Sequence, residues 1–145
     1  MVALQLQDHD ENRRVEWTDG GLLMVISDFT YEDESDPSEV APLWCYAGRH
    51  LLITGRVHAL KSADEMRQRM RTGITAASGI ELAAQLLDLR TARIKVLAST
   101  MTRQLDDIED EILAGNIKQQ REQLGRSRRL CARLRREFAP ERGDL

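Results

Sequence analysis

The chain is predicted to be α+β: a small, mainly antiparallel sheet with flanking helices, followed by a long antiparallel helical hairpin. Three observations carry this. Residues 1–60 hold two pairs of short β-rich runs, each pair broken by a glycine-bearing turn signal. Residues 61–145 hold two capping-box starts and an apolar repeat of nearly heptad period. The composition, 31% charged and 4% aromatic, suits long polar helices better than a β-sandwich. A length of 145 residues predicts one domain, 1–145.

Val15–Thr18 and Leu22–Phe29 read as strands around Asp19-Gly20-Gly21. A polar, acidic loop containing Pro37 follows. Val40–Tyr46 and His50–Val57 read as a second hairpin across Ala47-Gly48-Arg49. Alternation puts Val40, Trp44 and Tyr46 on one face and Leu43 and Cys45 on the other. Both faces are largely apolar, so the sheet is predicted to have cover on each side.

Ser62-Ala63-Asp64-Glu65 has the capping-box spacing, which predicts Ser62 as the N-cap of a short helix ending near Arg71. Ser78-Gly79-Ile80-Glu81 repeats the pattern and opens a helix of about 36 residues, about 54 Å long at 1.5 Å per residue. Within it Ile94, Leu97, Met101, Leu105, Ile108 and Ile112 form a coiled-coil-like seam. Gly115 is the predicted stop and Asn116 the next N-cap, so the hairpin turns near 114–116. In the return helix Ile117, Leu124, Cys131 and Phe138 repeat every seven residues, and Pro140 ends or kinks it.

Charge is unevenly spread. Residues 1–60 carry a net −7, residues 61–116 a net −1 and residues 117–145 a net +5. Five acids crowd into Asp106, Asp107, Glu109, Asp110 and Glu111. A turn at Gly115 sets these opposite 119–124, where Arg121 is offset by Glu122. Arg126, Arg128, Arg129, Arg133, Arg135 and Arg136 then lie opposite 94–104, which contains no acid. The hairpin is therefore predicted to have an acidic tip and a basic root. Negative charge is disfavoured at the end of a helix and in i,i+4 like-charge pairs, so local stability does not explain the acids. Three readings stand: a solvated acidic surface, a divalent cation (Zn or Mg) gathered by Asp106, Asp107, Asp110 and Glu111, or a basic patch on a neighbouring subunit.

Other chemistry is thin. Cys45, His50 and His58 invite a zinc reading, but the histidines would lie about 26 Å apart on one strand, at ~3.3 Å per residue. Asp8, His9, Asp10 and Glu11 lack the calcium-loop pattern. There is no glycine-rich phosphate loop, nucleophile elbow or His-Glu-x-x-His helix, so no enzyme and no tightly bound cofactor is predicted. The Arg-rich helix lacks interleaved aromatics and the pI is about 5.7, so no nucleic-acid partner is predicted. No apolar run is long enough to span a bilayer, and "MVALQLQDHD" has no signal-peptide pattern. Two cysteines make no disulfide framework, so a reducing compartment is predicted.

"RRVEWTDGGLLMVISDF", "APLWCYAGRHLLITGR", "SADEMRQRM", the long helix and "LCARLRREFAPERGDL", in that order, resemble the cytoplasmic domain of the CorA family of divalent-cation transporters. The likeness is closer to the ZntB zinc-transporter branch. Its parts are an Arg-x-x-Val type strand, a Leu-Ile-Thr run in the second hairpin, and Leu134-Arg135-Arg136…Pro140-Glu141-Arg142 closing the helix pair. The resemblance implies a soluble fragment on the cytoplasmic side of the inner membrane. In the full-length parent it would be followed by a stalk, two membrane spans and a Gly-Met-Asn type loop, and it would assemble as a pentamer. Its partners would be further copies of itself and divalent cations, its contact with the membrane only through those C-terminal spans, and its role a cation-attracting funnel and scaffold rather than a pore. A regulatory aspartate found in some relatives matches Gln5 here and is not carried over. The competing prediction is a stand-alone soluble adaptor that dimerises through the helical hairpin.

Overall fold

The computed structural model describes residues 13–31, 39–115 and 117–139, and of these the side chains of 117–119 are not described. The predictions placed on Gln5, on Asp8–Glu11, on the loop around Pro37, on Asn116 and on Pro140-Glu141-Arg142 lie outside the described residues.

Four strands, β1 (Arg14–Thr18), β2 (Gly21–Phe29), β3 (Val40–Gly48) and β4 (Leu52–Arg56), form an antiparallel meander in the order β1-β2-β3-β4. Three helices follow: α1 (Lys61–Arg71), α2 (Gly79–Leu113) and α3 (Ile117–Phe138). The predicted α+β class and the helical hairpin are both present. Thr18 pairs with Gly21, which leaves Asp19-Gly20 as a two-residue turn. The second turn lies later than the sequence predicts. Ala47 and Gly48 stay in β3 because β2 is nine residues long and pairs them with Leu22 and Gly21. The chain reverses at Arg49-His50, where the Gly48 N–H donates to the Leu51 carbonyl at 2.9 Å.

Met24 faces Cys45 and Ile26 faces Leu43 on one side of the sheet. Leu60, Met66, Ala83, Leu86 and Leu89 of the helical segment close over them. This face holds the main core. Leu23, Val25, Phe29 and Trp44 on the other face are also buried. The central strands are thus apolar on both sides, as their lack of hydrophobic alternation predicts.

The start of α1 corrects the sequence reading. Leu60, not Ser62, is the N-cap, and it makes no side-chain cap bond. The Ser62 hydroxyl is buried without a partner. The cap comes from the sheet: Asp28 Oδ2 accepts from the N–H groups of Ser62 at 3.0 Å and Ala63 at 3.2 Å, while Oδ1 accepts from the Phe29 N–H at 2.9 Å. A fixed carboxylate at a helix N-terminus satisfies orphan donors and complements the dipole. The bridge between Thr30 and Leu60 pins the helix start beside Asp28, so Ser62 falls inside the first turn.

The second predicted cap forms at Ser78, with the Glu81 side chain reaching back to Ala77 rather than to the Ser78 N–H of a full capping box. Ser78 Oγ accepts from the Glu81 N–H at 3.1 Å, and Glu81 accepts from the Ala77 N–H at 2.6 Å. A Cβ on Gly79 would lie 1.8 Å from the Leu51 carbonyl oxygen, so only glycine lets α2 begin against the β3–β4 turn. α2 runs 35 residues, about 53 Å at 1.5 Å per residue. Its first part covers the sheet through Ala83, Leu86 and Leu89. Gly115, at φ +90, ends the outward run, and α3 returns.

Candidate functional site

The hairpin register is fixed near its tip. Gln120 on α3 donates to Glu111 on α2, so facing residues have numbers summing to about 231. Further down, Leu97 and Leu134 line one depression together with Met101, Leu105, Cys131 and Phe138. This is the register the Gly115 turn predicts. Met101 and Ile108 are buried in the seam, whereas Cys131 is exposed although it holds a heptad position.

Asp106, Asp107, Glu109, Asp110 and Glu111 are all exposed. They occupy the last two turns of α2, with Asp106 and Asp110 on one stripe and Asp107 and Glu111 on another. Among the described residues no three His, Cys, Asp or Glu side chains gather closely enough to hold a metal ion. Arg128, Arg129, Arg135 and Arg136 are exposed, and among the described residues none of them makes an ion pair. Arg126 pairs with Glu122 on its own helix at 3.4 Å. Acids and arginines therefore remain separate along the hairpin, and their fields add to those of their own kind.

The root of the hairpin is fastened to the sheet by a joint that the sequence reading missed. Arg90 is 7% exposed, donates to the Ser27 carbonyl, and places its guanidinium 4.8 Å from the Phe138 ring centre. Phe138 also lies 6.0 Å from Phe29. Arg13 donates to Ser27 Oγ at 2.7 Å and pairs with Glu137 at 3.2 Å. Beside it Glu65 receives both Arg69 and Arg93, which ties α1 to α2. Two signals could have found the joint. Arg90 falls at helical spacing on the buried stripe of Ala83 and Leu86, and Asp28 is an acid within an apolar strand.

Cys45 is fully buried, and burial together with the nearby Asp28 pushes its thiol up to about 12. His50 and His58 lie on the exposed surface at the two ends of β4. No helix among the described residues is long and apolar enough to cross a membrane.

Known proteins share this fold. A family model described as CorA-like Mg2+ transporter protein matches residues 1–143. The divalent cation transporter CmaX of Pseudomonas aeruginosa is 25% identical over 140 residues, 96% of this chain and 42% of CmaX. The structure of full-length CmaX matches with a TM-score of 0.82 at 24% identity, over 96% of this chain and 43% of that one. The ZntB cytoplasmic domain from Vibrio parahaemolyticus matches at 0.79 and 12% identity, over 99% and 57% of the two chains. The soluble domain of CorA from Methanocaldococcus jannaschii matches at 0.71 and 19% identity, over 98% and 58%. The chain thus spans less than half the length of CmaX.

Proposed function

The chain belongs to the CorA-like family of Mg2+ transporter proteins, and from that premise we propose that it serves as the soluble, cytoplasmic-side domain of a divalent-cation transporter. It works as a scaffold and a cation-attracting surface and is not itself a pore. The observation that carries the reading is the family match across nearly the whole chain. The fold supports it, since the ZntB cytoplasmic domain and the CorA soluble domain share it.

Within this reading Asp106, Asp107, Asp110 and Glu111, with Glu109, act as a field. Exposed carboxylates that have no basic partner among the described residues raise the local concentration of Mg2+ or Zn2+, and salt screens the effect over about 8–10 Å. Each ion keeps its water shell, as scattered monodentate carboxylates allow. Assembly as a ring of identical copies, five in the full-length parent, would focus these fields toward one axis. The Arg90–Phe138 joint would hold the hairpin at a fixed angle to the sheet and so fix where the acids stand.

Two measurements test this. Titration of the chain with Mg2+ or Zn2+, followed by amide NMR shifts, should perturb 106–111 weakly and progressively, less at higher NaCl. Replacing the five acids by Asn or Gln should abolish that response, and an unchanged response would remove the acids from the mechanism. Separately, this chain should replace the matching segment of CmaX with transport of divalent cations retained. A chimera that assembles in the membrane but does not transport would overturn the scaffold role.

A further inference from the structure

The hairpin has an uncovered flank. A groove of about 810 Å3 runs between α2 and α3, floored by Leu105, Leu124, Cys131 and Ala132 and rimmed by Arg128, Arg135 and Arg136. The three arginines are exposed and make no ion pair among the described residues. On the same flank of α2, Thr102, Asp106, Glu109 and Leu113 follow one another at helical spacings of four, three and four. Leu113, at the tip, is 85% exposed. One flank thus presents an apolar strip with acids at one end and arginines at the other.

From this we infer that the flank docks the hairpin of a second copy of this chain in antiparallel orientation, with the tip acids of each copy against the root arginines of the other. Side-by-side pairing in the same direction would set Asp106 and Glu109 of one copy on the same acids of the other. Antiparallel pairing sets each acidic tip on guanidinium groups that have no ion-pair partner among the described residues, and guanidinium suits carboxylates well.

The spacing fits. By the hairpin register, the arginine group centred on Ala132 is level with Ser99 of α2. The acids centre near Ile108 and Glu109, about ten residues further out, or about 15 Å at 1.5 Å per residue. A two-fold axis half-way, beside Gln104 and Leu105, brings both charge pairs together at once and covers both grooves. Such a contact is isologous and closes at two copies.

Its size predicts its strength. An overlap of about 27 Å along two helices of ~10 Å width each gives about 1,100 Å2 in total, at the low end for a specific interface. The dimer is therefore weak and salt-sensitive. It does not depend on the transport reading: hairpins around a ring axis point the same way, so this contact joins chains of two rings or two free chains.

Sedimentation equilibrium of the 145-residue chain, at micromolar concentrations and 50 mM NaCl, tests it. A monomer–dimer equilibrium is expected whose dissociation constant rises at least roughly tenfold by 300 mM NaCl, because the contact is largely ionic. A chain carrying Asp106→Lys and Glu109→Lys should be monomeric. So should one carrying Arg128→Glu and Arg135→Glu. A 1:1 mixture of the two should restore the dimer, since one tip–root contact is then remade with its signs exchanged and the other is the native acid–arginine pair. Circular dichroism checks that both variants fold, and the wild-type salt series stands without them. A monomer at all concentrations, a dimer indifferent to salt, or folded variants that stay monomeric when mixed would each overturn the inference.

Discussion

Asp28→Asn should destabilise the domain far more than Ser62→Ala, although the sequence alone assigns the cap of α1 to Ser62. The Asp28 carboxylate accepts three N–H bonds, two of them from the start of α1, and is itself fully buried. An amide in its place turns an NH2 donor toward at least one of those N–H groups. Hydrogen bonds to a charged acceptor contribute about 1.5–3 kcal/mol, and an orphaned buried donor costs about 1–3 kcal/mol. The lost negative charge at the helix terminus adds up to about 1 kcal/mol. These overlap, so the expected loss is about 2–3 kcal/mol, or roughly 8–12 °C in Tm for a domain of this length. Ser62→Ala removes a buried hydroxyl that has no partner. It should be neutral or stabilising by up to about 1 kcal/mol, where loss of a true N-cap serine would cost about 1 kcal/mol. Urea denaturation followed by circular dichroism at pH 7 measures both, with equal m-values as the check on two-state behaviour. Loss of about 1 kcal/mol or more in Ser62→Ala, with Asp28→Asn within about 0.5 kcal/mol of wild type, would refute the reasoning.

Four further outcomes are expected. A thiol reagent at pH 8 should modify the exposed Cys131 in the native chain and reach Cys45 only after unfolding, as mass spectrometry of the adducts would show. The Cys45 thiol is raised from 9.0 to about 12, so the folded state holds its proton more tightly, and this contribution to stability is present below pH 9 and lost as pH rises toward 12. Arg90→Met removes the donor to Ser27 and the cation over Phe138, and should speed amide exchange at the end of α3 at least about tenfold with the tip of the hairpin unaffected. Gly115→Ala forces a side chain into φ +90 and should cost about 1 kcal/mol by urea denaturation, a strain that an otherwise open position cannot relieve.

The local devices of the fold were legible because each depends on a few neighbouring residues. Asp19-Gly20 makes a tight turn, Ser78 and Glu81 make a cap, Gly115 takes a left-handed conformation, and the apolar seam repeats at helical spacing. The antiparallel hairpin and its register followed from that turn, so the separation of acidic tip from basic root was determined by the sequence alone. Tertiary structure decided the rest. Ala47 and Gly48 joined β3 because β2 offered them partners, and Ser62 lost its cap role because Asp28, 34 residues earlier in the chain, reached the helix first. Arg90 and Phe138 met because the return helix brought distant residues to the same strand end. A charged group's role depends on what lies within a few ångströms of it, and the folded chain, more than its order of residues, sets that neighbourhood.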